Sequence, residues 1–480
     1  MKTLRTFAAI LALSLSFQAA QAQELKTANF LDNYLYGYRL NPSVTPQGTA
    51  GFVGIGVGNI GLSGQTNFGL SNFLFPLADG RLVTGLNSAI NSSVFPGGLE
   101  EMNRLSAHVI ENVLAVGISG ANGGYGHFEI NIVSDNEFGV PRTLFEAFKS
   151  KNTTGKYQVE DLNFHTANYL EVAYGHSKRK GNLAVGWTVK GLVGLAKADA
   201  TVDMEIQTAG DNMWVKSQGT LKAAFGPVSI GLDSEGYYDP SSIGFDRNNI
   251  KPSGFGGGID IGASYYMLDD KLILGAAARN LGVMKWSDNY FGQTSGNKVI
   301  INMDDSKMAD TFKDMVKFKP KTETDEGKLE MLPCSFNLSA KFKPIKLVTV
   351  GAVATMYKYN GYMTRDIRLG AAFTPLRQFN LAGTYSLGDQ GSEIGVAASV
   401  RLLGISAYVG VDAIQLKVSP QYIPIDPVCT TVNAGVAIAF GKSVKADADQ
   451  KADRKAEKKA AAKEKKEAKK EAGKNKASEE

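Results

Sequence analysis

Apolar residues alternate one by one with small or polar residues through much of the second half of the chain. The clearest run is 432–440, where Val, Ala, Val, Ile and Phe occupy every second position and Asn, Gly and Ala fill the others. Runs at 394–402 and 405–413 alternate in the same way. Alternation over about ten residues predicts β-strands with one apolar face.

The face opposite the apolar one carries mostly Gly, Ala and Ser. In a soluble sandwich this face meets water, whereas in a membrane barrel it lines the lumen and the apolar face meets lipid. Further strands of this kind are predicted at Leu183–Leu195, Ile259–Met267, Phe336–Phe342, Ile367–Phe373 and Phe379–Leu387. The charged residues predicted to line the lumen are Glu171, Lys190, Asp260, Lys341, Arg368, Arg401 and Asp412.

Loop lengths favour a membrane barrel over the alternative, a soluble exported β protein. Short connections near Leu403-Gly404 and Lys343–Lys346 alternate with long ones such as 417–427. Outer-membrane barrels have short periplasmic turns and longer outer loops. Aromatic residues near predicted strand ends, such as Tyr265-Tyr266 and Trp286, are typical of the girdles at the two membrane interfaces.

We therefore predict an all-β protein, in which residues 48–441 form a transmembrane antiparallel β-barrel of about 14 strands, within about 12 to 16. Residues 23–47 precede the first strand and are expected to lie in the periplasm or to plug the lumen. Leu99–Val109 and Pro141–Lys151 look helical, with Pro141 at the first helical position. We expect these few short helices in loops or in the plug.

The start of the chain has the pattern of an export signal. Lys2 and Arg5 form a basic region, Phe7–Phe17 is apolar, and Ala20-Gln21-Ala22 fits the small-x-small cleavage rule. We therefore expect residues 1–22 to be a cleaved signal peptide. No later segment has about 18 consecutive apolar residues, so a membrane-spanning helix is not expected.

The charge distribution separates the end of the chain from its body. Residues 442–480 are rich in Lys, Ala and Glu, with 14 Lys or Arg against 9 Asp or Glu. The body at 23–441 is nearly neutral, which argues against a nucleic-acid-binding protein. The tail has helix propensity but no apolar stripe. It is either a solvated, partly helical tail or a periplasmic tether to an anionic polymer such as peptidoglycan.

No motif points to catalysis. The segment Gly56–Gly61 fits G-x-G-x-x-G, but it continues a strand-like run and no helix follows. His108, His127, His165 and His176 lack partners at metal-ligand spacing and are expected in loops or in the lumen. We therefore predict a non-enzyme with no catalytic residues, no cofactor and no metal.

Two cysteines follow prolines at predicted strand starts on the outer rim. An oxidising envelope allows a disulfide between Cys334 and Cys429, provided that the outer loops bring them together. The alternative is two separate thiols, buried or at the rim.

Several short motifs resemble one protein family. The pair Asn41-Pro42 and the stretches Tyr169–Gly175, Val189–Gly194 and Asn280–Trp286 look like an uncharacterised outer-membrane barrel family of Bacteroidota, annotated only as a domain of unknown function. The resemblance covers most of 25–441. It implies an outer-membrane location and no catalytic or ligand residues. The layout is more distantly similar to long-chain fatty-acid transporter barrels, which have an N-terminal plug.

Two functions fit these features. The first is a barrel that binds or transports a hydrophobic or amphipathic small molecule, with lipid around it and residues 23–47 as its plug. The second is a structural or scaffold barrel whose outer loops or basic tail bind an envelope partner or the cell wall. An open lumen lined by apolar side chains would favour the first, and a lumen closed by paired charges would favour the second.

Overall fold

The structure is a computed structural model of the chain. It describes residues 24–120, 123–150, 153–210, 212–226, 228–245, 251–300, 317–322, 327, 329–359, 362–376, 378–389, 391–414 and 429–441. The expected signal peptide at 1–22 and the tail at 442–480 lie outside these residues.

Strands make up almost all of the regular structure. In chain order they are β1 Gly51–Ile55, β2 Ile60–Thr66, β3 Leu74–Pro76, β4 Leu82–Thr84, β5 Met102–Ser119, β6 Gly124–Pro141, β7 Gly155–Lys180, β8 Leu183–Ala209, β9 Asn212–Phe225, β10 Val228–Leu232, β11 Tyr238–Phe245, β12 Gly254–Met267, β13 Leu272–Trp286, β14 Tyr290–Ile300, β15 Lys319–Pro320, β16 Leu329–Met331, β17 Cys334–Ile345, β18 Val348–Tyr359, β19 Tyr362–Leu376, β20 Phe379–Gly388, β21 Gly391–Leu402, β22 Ile405–Ile414 and β23 Cys429–Phe440. One α-helix, α1, spans Arg142–Lys149, and short 3-10 helices span Lys26–Phe30, Gly37–Arg39 and Leu70–Asn72.

Fourteen antiparallel strands close the barrel, as predicted. The first of them is interrupted and consists of β1 and β2, which pair with β23 on one side and β5 on the other. The wall then continues through β5, β6, β7, β8, β12, β13, β17, β18, β19, β20, β21, β22 and β23. Closure pairs every wall strand on both sides, which a membrane requires because lipid offers no hydrogen bonds.

The two ends of the barrel differ in their connections. Tight turns such as 181–182, 268–271 and 403–404 lie at one end, together with the end of β23. The other end carries the long connections, which include 67–101, 226–253 and the helix α1. This sorting identifies the end with the tight turns as periplasmic and the other as the outer end.

The outward face of the wall is apolar and the inward face is not. On β8, Val185, Trp187 and Val189 point outward and are exposed, whereas Thr188 and Lys190 point inward and are buried. Only lipid covers an apolar belt of this kind without a free-energy penalty, so the barrel is a transmembrane barrel of the outer-membrane type. Among the described residues, no helix is long and apolar enough to cross a membrane.

Part of the wall rises above the barrel rim. The strand β8 pairs with β12 up to Gly194 and with β9 from Ala196 to Ala209, while β14 extends the sheet beyond β9. The helix α1 packs on this extension through Leu144, which joins an apolar cluster that includes Val202 and Ile206. The extension therefore has its own small core outside the lipid.

The structure corrects three expectations about local structure. The predicted helix Leu99–Val109 is wrong, because residues from Met102 onward form β5 and pair with β6 along its length. Pro141 is the N-cap of α1, one residue before the predicted first helical position. His176 lies in neither a loop nor the lumen, since it is on the outward face of β7. Tertiary pairing overrides the weak helical propensity of the first segment.

The glycine-rich motif forms the interruption of the first wall strand. The chain leaves the ladder after Ile55 and rejoins it at Ile60. Gly56 has a φ of 66°, a left-handed conformation that favours glycine. Asn59 is fully buried on the lumen side, where it accepts a hydrogen bond from the Tyr408 hydroxyl. No helix follows, so the motif is a structural break in the wall.

Candidate functional site: the plugged lumen and its outer cavity

Residues 24–47, called the plug below, occupy the lumen. Most of them are buried, and Leu25 and Thr27 are completely so. The segment contacts wall strands on every side, from Asp412 on β22 to Ala263 on β12. It has little regular structure of its own, so its conformation is set by the wall that it packs against.

Aromatic packing holds the middle of the plug. The rings of Tyr34 and Tyr408 meet edge to face with centroids 4.9 Å apart, and those of Tyr36 and Phe52 with centroids 5.2 Å apart. These rings belong to a buried cluster made of plug residues and small inward side chains of the wall. Each fully buried aromatic side chain contributes about 1.5–3 kcal/mol of hydrophobic stabilisation.

Arg39 of the plug is held by carboxylates and an amide of the lumen. Its Nε lies 3.0 Å from Oε1 of Glu129, and its Nη2 donates to Oδ1 of Asn131 at 2.7 Å. The Tyr38 hydroxyl also donates to Glu129, at 2.5 Å. Glu24 lies 3.5 Å from Arg39 Nη1. Burying such charges is tolerable only because each one is paired.

A second cluster fixes the beginning of the plug. Asp412 accepts hydrogen bonds from the backbone nitrogen of Lys26 at 2.5 Å and from Arg368 Nη1 at 2.9 Å. Lys26 Nζ forms an ion pair with Asp366 at 3.0 Å, and Arg368 lies 3.6 Å from Glu393. Here the wall carboxylates bind plug donors directly.

Basic wall residues bind the plug nearer the periplasmic end. Lys341 Nζ donates to the carbonyl of Asn29 at 3.0 Å, and Lys343 pairs with Asp32 at 2.5 Å. Arg401 donates to two plug carbonyls, with both nitrogen–oxygen distances at 2.7 Å. Backbone carbonyls that have no partner within the plug are satisfied in this way.

A third cluster lies in the wall itself. Lys190 Nζ is 3.4 Å from Glu171 and 3.0 Å from Asp260, and it donates to Oδ1 of Asn280 at 2.5 Å. Asp260 also accepts from the backbone nitrogen of Asn280 at 2.6 Å. One buried cation is thus shared between two carboxylates.

The seven candidate lumen residues thus fall into three groups. Glu171, Lys190 and Asp260 are brought together, and Arg368 meets Asp412, but Lys341 and Arg401 bind the plug separately. The partners that sequence reasoning missed are Glu24, Lys26, Asp32, Arg39, Glu129, Asp366 and Glu393. The plug residues among them lie in a segment without periodicity, so no pattern assigned them to the lumen.

A cavity of about 210 Å³ lies in the outer part of the lumen. Its lining residues are Asp135, His165, Ala167, Tyr169, Met284, Trp286, Glu330, Met331, Leu332, Pro333, Cys334 and Lys358. Five of these, Ala167, Tyr169, Met284, Trp286 and Leu332, belong to one buried apolar cluster. Trp286 is only 2% exposed and faces this cavity, so its assignment to an interfacial girdle is wrong.

Paired charges surround the apolar lining. His108 is hydrogen-bonded through Nδ1 to Asp135, and His165 through Nδ1 to Asp199. Lys197 pairs with Asp199 at 2.6 Å and also with Glu330. Register places His108 opposite Asp135 and His165 opposite Asp199, so the pairs follow from strand pairing.

His165 and Asp199 lie on the parts of β7 and β8 above the rim at Gly194. Burial lowers the pKa of His165, but the hydrogen bond and charge of Asp199 outweigh it and hold this pKa above its usual value. Burial raises the pKa of Asp199, but the bonds and charges of His165 and Lys197 outweigh it and hold this pKa below its usual value. The two groups therefore stabilise each other in their charged forms.

A chain of contacts connects the cavity to the plug. Tyr169 lines the cavity, and Glu171 follows two residues later on the same inward face of β7. Glu171 accepts a hydrogen bond from Asn131 Nδ2 at 3.0 Å, and Asn131 in turn accepts from Arg39 of the plug. A change at the cavity floor can therefore reach the plug through three side chains.

Metal and thiol chemistry have little support in the described part of the chain. No group of three or more His, Cys, Asp or Glu side chains there could hold a metal ion. Cys334 is a buried free cysteine at the start of β17, which contradicts a bridge to Cys429 in this structure. The side chain of Cys429 lies outside the described residues.

Comparison with known families identifies the chain's relatives. Residues 42–412 match the Family of unknown function (DUF5723). The chain belongs to this family. The resemblance to an uncharacterised barrel family is thereby confirmed, whereas a Bacteroidota origin stays a prediction. Comparison with curated proteins gives no match.

Solved structures with a similar layout are membrane transport proteins by name. A Pseudomonas aeruginosa FadL homologue is 9% identical, with 88% of this chain and 100% of that chain covered and a TM-score of 0.42. The P. putida toluene transporter TodX is 10% identical, with coverages of 83% and 92% and a TM-score of 0.41. The Ralstonia pickettii toluene transporter TbuX is 8% identical, with coverages of 85% and 95% and a TM-score of 0.40. Likeness at this level carries nothing about the ligand of this DUF5723 protein.

Proposed function

We propose that this outer-membrane barrel binds a hydrophobic or amphipathic small molecule in the outer cavity and passes it inward when the plug moves. The observation that carries the proposal is the cavity itself, which combines an apolar lining with a contact path to Arg39 of the plug. Ligand sites are typically concave and mostly apolar, with a few polar groups that set orientation.

A fluorescence experiment tests binding at this cavity. The chain has three tryptophans, so replacing Trp187 and Trp214 by Phe leaves Trp286 as the only one. The barrel is placed in lipid nanodiscs and titrated with three six-carbon bromoalkyl probes, which carry a hydroxyl, a carboxylate or an ammonium group. Bromine quenches tryptophan on contact. We expect saturable quenching by at least one probe.

Two alanine variants make the experiment specific. Ala167→Phe fills the cavity and should abolish the quenching, because Ala167 lines it. Ala371→Phe adds the same side chain on the lipid-facing side of β19 and should leave the quenching unchanged. Absence of saturable quenching by all three probes would contradict the proposed function.

One observation favours the second candidate, a structural or scaffold barrel. The plug is bound by ion pairs at several heights of the lumen, from Lys343 to Arg368 and Glu129. A plug held in this way suits a permanently closed barrel. The two candidates differ in the quenching experiment, since a scaffold barrel has no reason to bind the probes at Trp286.

Two regions outside the described residues complete the proposal. Residues 1–22 would serve as the signal peptide, and N-terminal sequencing of the purified protein should begin at Gln23. Residues 442–480 would bind peptidoglycan through their basic side chains. Deleting the tail should then abolish co-sedimentation of the barrel with cell-wall sacculi, and unchanged co-sedimentation would contradict the tether.

A further inference from the structure

The charges around the outer cavity are almost fully neutralised within the protein. Asp135 is bound by His108, and Glu330 is bound by Lys197. Lys197 also pairs with Asp199, which in turn binds His165. These groups come from neighbouring strands β5, β6, β7 and β8 and from β16, so they surround the cavity on one side. Their donors and acceptors are already directed at each other.

Lys358 is the exception among the charged lining residues. It has no ion pair with any residue that the structure describes, and its side chain is exposed at the end of β18. Water and salt screen an exposed charge strongly, so a contact with it contributes little to affinity. The cavity therefore offers no buried charge that lacks a counter-charge.

The cavity is also small. A volume of about 210 Å³ corresponds to about seven water molecules at about 30 Å³ each. Its floor consists of Tyr169, Met284, Trp286 and Leu332, all of them buried. A ligand that fits therefore has a short apolar body.

We propose that the ligand is an electrically neutral molecule with a short apolar body and a hydroxyl or amide group. This inference rests on the proposed function and names the chemical class of its ligand. The apolar body lies against Trp286 and Met284, and the polar group reaches the row of paired charges at Asp135 and Glu330.

An ionic ligand is at a disadvantage in this cavity. A carboxylate would have to compete with Asp199 and Glu330 for Lys197, and an ammonium group would have to compete with Lys197 for the same carboxylates. Either one would lose its own hydration without gaining a new counter-charge. Exchange of one ion pair for another gives no net gain to offset that loss.

A neutral hydroxyl or amide avoids this conflict. An ionised carboxylate has about four lone-pair sites and can accept a further hydrogen bond while it keeps its ionic partner. The described bond of Asp135 to His108 uses Oδ1. A hydroxyl group that donates to Asp135 or Glu330 therefore leaves the existing pairs intact. Hydrogen bonds to charged groups are stronger than those between neutral groups.

The three bromoalkyl probes test this ranking directly. They are compared on the Trp286-only protein at equal free aqueous concentration, set by equilibrium dialysis at neutral pH. We expect 6-bromohexanol to bind at least about tenfold more tightly than 6-bromohexanoate and 6-bromohexylammonium. Tighter binding of either ionic probe would overturn the inference and leave the proposed function in place. Binding by none would overturn both.

A charge variant tests the reason for the ranking. Glu330→Gln releases one of the two carboxylates from Lys197 and makes the cavity more positive. We expect it to improve the affinity for 6-bromohexanoate about threefold or more and to leave that for 6-bromohexanol within about twofold. Asp79→Asn removes the same charge from a distant exposed loop and should change neither. An unchanged carboxylate affinity in Glu330→Gln would also overturn the inference.

Discussion

Arg39 of the plug and Glu129 of the wall form a buried ion pair, with 3.0 Å between Nε and Oε1 and each side chain only 5% exposed. The pair joins a segment without periodic sequence to strand β6. Because the bond of Arg39 to Asn131 continues to Glu171, the same arginine also connects the plug with the floor of the outer cavity.

Removing Arg39 should loosen the plug. In Arg39→Met, Glu129 stays buried without its cation, which costs about 3–5 kcal/mol. Hydrogen–deuterium exchange measured by mass spectrometry should show faster exchange in peptides that cover 26–40, by about 100-fold if exchange requires release of the plug.

Two further variants distinguish the buried charge from a general loss of contacts. Adding Glu129→Leu to Arg39→Met should slow the exchange again, because replacing a buried pair by apolar residues is often neutral. Arg81→Met breaks an exposed pair with Asp79 and should have little effect. Equal exchange in Arg39→Met and the wild type would refute the role of this pair.

A close backbone approach gives a second prediction for the plug. A Cβ atom at Gly186 would lie 2.1 Å from the carbonyl oxygen of Pro42, and the backbone there cannot be moved cheaply. Gly186→Ala should therefore displace residues 41–44 and raise their hydrogen exchange. Gly383→Ala is the matched control, since a Cβ there meets nothing within 4 Å. If both variants exchange alike, the plug does not pack against β8 as described.

The alternation in the sequence predicts the barrel but fails where a strand contains a bulge. On β13, Leu274 points outward, and simple counting puts Trp286 on the same face. The register between β12 and β13 shifts near Asn280, where φ is 53°, so every residue beyond it changes face. Trp286 therefore lines the cavity although the sequence pattern assigns it to the lipid.

The plug was predictable only in outline. Its position before the first strand suggested that it enters the lumen, but its contacts depend on wall residues that are hundreds of positions away, as between Lys26 and Asp366. Conversely, Arg368 and Asp412 were found from the sequence because each interrupts the small-residue face of a regular strand.

The orientation of the tryptophans can be checked with brominated lipids. In single-tryptophan variants, Trp187 should be quenched by lipids with bromine on the acyl chain, because it is 40% exposed on the outward face of β8. Trp286 should not be quenched, since it is 2% exposed and faces the lumen. Quenching of Trp286 to the same extent as Trp187 would contradict the inward assignment.

The pair of His165 and Asp199 predicts a defined pH dependence above the rim. The raised pKa of His165 means that its contribution to stability is fully present below pH 6.5 and is lost as the pH rises through the raised value. NMR of ¹³C-labelled histidine should show His165 titrating above pH 6.5.

Substitution of the carboxylate gives the sign of that effect. In Asp199→Asn the pKa of His165 should fall below that of the wild type, because burial then acts with less opposition. Asp79→Asn changes an exposed loop and should not alter it. A His165 pKa that is the same in Asp199→Asn and the wild type would show that the pair is absent in solution.

The central claim is that residues 24–47 close the lumen of this barrel. Conductance across a planar lipid bilayer tests it most directly, with the full-length barrel compared with a variant that lacks 24–47 and with Arg39→Met. We expect the full-length barrel to be silent, the deletion variant to conduct steadily, and Arg39→Met to open intermittently. Steady conductance of the full-length barrel would contradict the account, and so would silence of a folded deletion variant.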